Sequence, residues 1–178
     1  MAEACELLNG GIPKDCKPNI GGLFTQMWIT ERSNISGYTY ESPGTKIESI
    51  ELISPAVPFA FAFNKGTSGY TEEQTFDDAT GNTLNIQTVT LGLNHREQEK
   101  RDKIILLGSF KELAILVKDN NGHYFLLGQE GGCVLRTNSG GSGVAKTDAN
   151  QYILTLIGEE GSLANEVTEE GALAFINA

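Results

Sequence analysis

Thr83–Asn94 reads TLNIQTVTLGLN, His95–Leu107 reads HREQEKRDKIILL, and Leu113–Lys118 reads LAILVK. The first run alternates threonine and polar residues with branched apolar ones, the pattern of a half-buried strand. The second carries charge at most positions and gathers Ile104, Ile105 and Leu107 at its end, so it reads as a helix that packs by its C-terminal half. Asn94 is its expected N-cap, with Glu97 three residues on, and Gly108 its expected C-cap. The third run is followed by Asp119-Asn120-Asn121-Gly122 and then by His123–Leu127. Asn-Gly between two apolar runs is a hairpin signal, because the turn needs a residue that tolerates positive φ. Strand, helix, hairpin is therefore the order at the centre of the chain.

Outward from this centre the signals are of strands. Leu23–Thr30, Ile35–Tyr40, Thr45–Ile53, Cys133–Thr137 and Gln151–Ile157 are rich in branched and aromatic residues, with Gly, Pro, Asn and Ser between them. Phe59-Ala60-Phe61-Ala62-Phe63 alternates strictly, which sends three phenyl rings to one face of a strand. Thr67–Ala79 holds Glu72, Glu73, Phe76, Asp77 and Asp78 and reads as a long hairpin tip or an acidic loop. About eight or nine strands and one helix, near residues 95–107, predict a mainly β fold: an antiparallel sandwich or barrel with one flanking helix. A single domain is expected over residues 1–160, with residues 1–22 as an N-terminal arm. Glu159–Ala178 has five Glu and no Lys or Arg, so residues 161–178 are expected to be an exposed acidic extension with a short apolar end, Leu173–Ile176.

The 178 residues suit one domain, and 39% hydrophobic with 20% charged residues is a foldable composition. Gly is abundant at 21 and Pro scarce at 5, which fits many turns between short strands. The net charge of -10 argues against a protein that grips nucleic-acid phosphates or an anionic membrane. An acidic wall can serve DNA in the opposite sense, by repelling it. No apolar run approaches the ~20 residues of a membrane-spanning helix. The opening Met-Ala-Glu-Ala-Cys-Glu has acids where a secretion signal carries bases, so no export leader is expected.

The search for chemistry returns one motif. Gly140–Thr147 is similar to a phosphate-binding loop, with Lys146 and Thr147 in the places of the phosphate and magnesium ligands. Ala145 stands where the second Gly belongs, and a β-patterned run follows where a helix is required. A hairpin loop is the expected structure, and a nucleotide site at Lys146 and Thr147 the rival reading. Cys5, Cys16 and Cys133 lack zinc spacing, leaving three thiols or a Cys5–Cys16 disulfide as the open alternatives. His95 and His123 are expected at the surface, and no serine nucleophile motif is present. No enzyme activity, metal or cofactor is expected. Glu97→Arg101 and Glu99→Lys103 are favourable i,i+4 pairs, which makes the face with Arg96, Glu97, Lys100 and Arg101 a candidate interface helix.

Four stretches carry a family resemblance. They are Cys5-x-Leu7-x-x-Gly10-Gly11-Ile12-x-x-Asp15-Cys16 with Gly21-Gly22 and the strand to Thr30; Val89-Thr90-Leu91-x-Leu93-Asn94 with Arg101-Asp102-Lys103-Ile104; Leu113–Gly128; and Tyr152-x-Leu154-Thr155-Leu156-x-Gly158-Glu159-Glu160. Together they resemble virion structural proteins of tailed phages and prophages of Bacteroidetes-type bacteria, most of all a tail tube (major tail) protein. The resemblance implies a sandwich or barrel with one flanking helix, hexameric rings stacked into a hollow tube, and a continuous lumen barrel. It implies partners of three kinds: further copies of the chain, other tail or head–tail proteins, and DNA that passes through the bore without specific binding. It places the protein in the virion tail, assembled in the host cytoplasm. It makes Glu72, Glu73, Phe76, Asp77 and Asp78 a candidate contact loop between subunits or rings, along with the N-terminal segment and C-terminal tail. A capsid decoration or head–tail joining protein is the alternative within the same virion.

Overall fold

In β7 (Leu113–Asp119) every side chain from Leu113 to Val117 is buried. A strand reads as a continuous apolar run only when both its faces are covered, and β7 is covered twice. Leu113, Ile115 and Val117 enter one apolar core, and Ala114 and Leu116 enter another. The computed structural model that shows this describes residues 18–178 except Phe110.

Along the chain, β1 (Leu23–Glu31) leads through a 3-10 turn to β2 (Ile35–Tyr40), β3 (Ile47–Leu52), β4 (Phe59–Ala62), β5 (Gly69–Asp77) and β6 (Asn82–Asn94). Helix α1 (Gln98–Leu107) crosses to β7. There follow β8 (Tyr124–Leu127), β9 (Cys133–Gly141), β10 (Gln151–Glu160), β11 (Asn165–Val167) and α2 (Glu169–Ile176). The fold is mainly β, with 50% strand and 13% helix, as the sequence predicts. Pairing is antiparallel except where β11 meets β3 at Val167 and Ile47.

The strands run β2-β3-β11-β8-β7-β9-β10-β6-β5, with β1 and then β4 added beside β7. The β7–β9 link is a single pair, Leu113 with Cys133, and there the sheet folds over on itself. One layer, β9-β10-β6-β5, faces β1, β7 and β8 across the first core, where Leu91, Leu154 and Leu156 meet Met27, Ile29 and Ile115 with Ile104 and Leu107 of α1. The far side of β1, β7 and β8 is covered by β2, β3 and α2 through Ile47, Ile50, Ala172 and Phe175.

The Asn-Gly hairpin forms as predicted, with Gly122 at φ 96 between β7 and β8. Two expectations need correction. Asn94 does not cap α1: it stays in β6, paired with Gln151, because the β6–β10 ladder runs one residue further than the helix rule can see. His95 turns the chain at φ 62 and Glu97 takes the cap position without a side-chain cap bond. Of the two forms expected for Thr67–Ala79, the structure has the hairpin and not the loop: β5 pairs with β6 in unbroken register from Gly69 to Asp77.

The second correction concerns residues 161–178, which form no exposed extension. They build β11 and a second helix, and Val167, Ala172 and Phe175 are buried. Thr168 caps α2 by accepting from the Gly171 N–H at 3.1 Å and donates to the Glu48 carbonyl at 3.2 Å. A Cβ on Gly171 would lie 2.2 Å from that carbonyl, so glycine is what lets the helix sit this close to β3. The acids preceding this segment mislead in the same way. Glu160 is buried, and its carboxylate accepts the N–H groups of Glu130, Gly131 and Gly132, which offsets the cost of desolvating it. The N-terminal arm and the Cys5–Cys16 question lie outside the described residues, apart from positions 18–22. There Asn121 holds Asn19 and Ile20 against the β7–β8 turn.

Candidate assembly surfaces

The outer layer β9-β10-β6-β5 ends in strands that lack a partner on one side among the described residues. β5 pairs only with β6, and β9 pairs with β10 and otherwise only through Cys133. Register places Thr71, Glu73, Thr75 and Asp77 of β5 beside Thr88, Ile86, Leu84 and Asn82 of β6. Thr155, Ile157 and Glu159 of β10 continue the row on the same face, since neighbours in register share a side. This face points away from the first core. Glu73 and Glu159 on it are exposed, and Thr88, Thr90 and Thr155 are half-buried. The four strands contain five acids and no lysine; Arg136, at a register shift in β9, is their sole basic residue.

The candidate contact residues Glu72, Glu73, Phe76, Asp77 and Asp78 form the β5 half of an arm. β10 accompanies β6 only from Asn94 to Asn85, so the β5–β6 hairpin runs on beyond the sandwich. Glu72 is at its base, where its carboxylate accepts the Ala164 N–H at 2.6 Å. Phe76, opposite Thr83, lies on the side that faces the core further down the strand, yet it is 62% exposed because the core has ended. Asp77 closes the turn by accepting from the Ala79 N–H at 2.8 Å, and this bond with those of Thr80 holds its carboxyl below the usual value. Asp78 is exposed in the turn.

The candidate interface helix is anchored by the cations expected to face a partner. Arg96 stacks over the Tyr152 ring at 5.1 Å, and Arg101 Nε donates to the Tyr152 hydroxyl at 2.5 Å. These contacts, the Arg101 bond first, hold the Tyr152 phenol below its ordinary value of 10.0. Lys100 donates to the carbonyls of Asn94 and His95 at 2.6 and 3.2 Å and lies 3.6 Å from Glu97. Arg96, Lys100 and Arg101 thus fasten α1 to β6 and β10, while Glu97 stays exposed.

Beside this helix is a feature the sequence reading missed. Between α1, β4 and the end of β1 runs a cleft of about 480 Å3. Ile29, Phe61, Leu93 and Leu107 line it, Phe59 and Leu106 stand at its mouth 64% and 61% exposed, and Lys100, Lys103 and Lys111 are on its rim. The usable signal was Ile105-Leu106, two apolar residues on a charged helix that has only one buried stripe, together with the phenylalanine alternation of β4.

The phosphate-loop-like stretch has two of its amides engaged. Asp148 Oδ2 accepts from the Val144 and Ala145 N–H groups at 2.7 and 2.8 Å, and β10 follows rather than a helix. His123 is exposed, with Nδ1 2.8 Å from Glu166 Oε1, and His95 is exposed at the turn before α1. Burial first, and then the Glu160 charge, pushes the Cys133 thiol up to about 12. Among the described residues no group of three or more His, Cys, Asp or Glu is placed to hold a metal, and no helix is long and apolar enough to cross a membrane. Comparison with family models, curated proteins and solved structures returns no match.

Proposed function

We propose that the chain is a structural subunit of a phage tail tube. Its copies pair laterally, β5 of one beside β9 of the next, and close into rings that stack into a hollow conduit for DNA. The observation that carries this reading is the outer four-stranded sheet, whose lateral edges, apart from Cys133 of β9, have no partner strand among the described residues and whose outward face bears acids and no lysine. Ring closure removes both edges at once, which a free monomer cannot do. With six copies, as the resemblance implies, about 24 strands would line the bore, beyond the ~16–18 that already enclose a water-filled channel. A wall carrying Glu73 and Glu159 repels phosphates, so DNA slides without sticking.

Negative-stain electron microscopy of the purified protein across concentration and salt tests the proposal. Hollow rings or tubes with a bore wide enough for a DNA duplex are expected. The variant Glu73→Lys with Glu159→Lys is expected to assemble and to retain DNA that the wild type releases. Solid or bore-less oligomers overturn the reading. Binding to empty phage heads without self-assembly overturns it in favour of decoration or joining.

A further inference from the structure

The exposed arm and the exposed cleft match each other in chemistry and lie at opposite ends of one strand. The arm tip offers Phe76 flanked by Glu73, Asp77 and Asp78, and no Lys or Arg occurs between Gly66 and Asn94. The cleft offers an apolar slot with three lysines and one glutamate, Glu31, in its lining. Each lysine has a local carboxylate: Lys100 with Glu97, Lys103 with Glu99, and Lys111 with Glu31. Exposed pairs of that kind are weak and leave the rim attractive to further acids. Thr83, beside Phe76, and Leu93, in the cleft, are ten residues apart in β6, about 34 Å along the strand. The arm of a chain therefore cannot reach its own cleft.

We infer that the arm tip of one copy inserts Phe76 into the α1–β4 cleft of a second copy, with Asp77 and Asp78 facing Lys103 and Lys111. A contact between different patches at the two ends of a molecule is heterologous and repeats without closing. It stacks copies along β6, which is how one ring would seat on the next. The inference rests on the tube reading for the rings themselves, whereas the arm-to-cleft contact stands on its own geometry.

The test uses two full-length variants, Phe76→Asp, which spoils the arm, and Leu106→Asp, which spoils the cleft. Both positions are exposed, and circular dichroism confirms folding before use. Rings are counted by microscopy and stacking is followed by sedimentation. Each variant alone is expected to form rings, with the concentration needed for stacking raised about tenfold or more, the scale of losing one aromatic anchor. An equal mixture of preformed rings of the two variants is expected to give pairs of rings and nothing longer, because one intact set of arms and one intact set of clefts make a single junction. Stacking by either variant at the wild-type concentration overturns the inference and leaves the tube reading intact, as does a mixture that does not pair. Pairing of the mixed variants as single chains, without rings, sustains the arm-to-cleft contact and overturns the tube reading.

Discussion

Phe175→Ala measures how far the C-terminal segment belongs to the core. Phe175 is 1% exposed in α2 and packs among Ile47, Ile50 and Leu116, whereas Leu173, two residues earlier, is 45% exposed. Removing a buried phenyl ring costs about 3–5 kcal/mol through lost transfer energy and the cavity left behind. Unfolding entropy of ~2.1 cal/mol/K per residue over this length converts that loss to a fall in Tm of about 8–13 °C. Leu173→Ala removes a side chain facing solvent and should stay within about 0.5 kcal/mol, near 1 °C. Thermal unfolding followed by circular dichroism, at a concentration below assembly, compares the two with the wild type. Shifts of under about 2 °C in both variants would refute the account of α2 as a lid on the second core.

Two titrations give further checks. Burial tends to raise the Glu166 carboxyl, but hydrogen bonds and charge from His123 and Lys46 outweigh it and hold the group below its ordinary 4.5. A lowered carboxyl adds stability above its unfolded value and loses it as pH falls through the folded value, so Glu166→Gln should weaken the protein at pH 6 and flatten its loss of stability below pH ~4.5 in acid denaturation curves. Of the five tyrosines, Tyr38 and Tyr70 are pushed up to about 12, each mainly by burial, while Tyr152 is lowered by Arg101. Ultraviolet phenolate absorbance should therefore rise in stages, and the two late groups should merge with the rest in denaturant.

The elements that were legible in the sequence are those whose neighbours are local. β6 alternates because one face meets the first core, and β7 is uniformly apolar because both faces are covered. Each pattern is complete within its own strand. The Asn-Gly turn is equally local. Asn94 reads as a cap because a cap rule cannot see Gln151, 57 positions later, claiming it for the sheet. Residues 161–178 read as an exposed extension because glutamates without neighbouring cations suggest solvation. Thr168-Glu169-Glu170 is in fact a helix start, a capping hydroxyl followed by acids in the first turn. β11 has three residues, too few to show alternation, and its place between β8 and β3 is entirely a tertiary fact. The cleft joins Ile29, Phe59 and Leu106 from three distant segments, so no single stretch announces it.

Among the described residues the sheet leaves four edges open, at β2, β4, β5 and β9, and they are not alike. Monomeric proteins blunt exposed edges with short strands, prolines and bulges. β4 is four residues long and follows directly on Pro58. β2 pairs with β3 through two register shifts, near Gly37 and Tyr40, which bend it out of line. Those two edges are protected in the usual way. β5 is different: nine residues, no proline, no shift against β6. β9 also has nine residues, and after its one shift Thr137–Gly141 pairs regularly with β10. The two unprotected edges bound the same four-stranded layer, and one of them is acidic, which discourages β5 from pairing with a second β5. An edge that rejects itself and lies across one sheet from another open edge is suited to a neighbour's β9. That is the arrangement a head-to-tail ring requires.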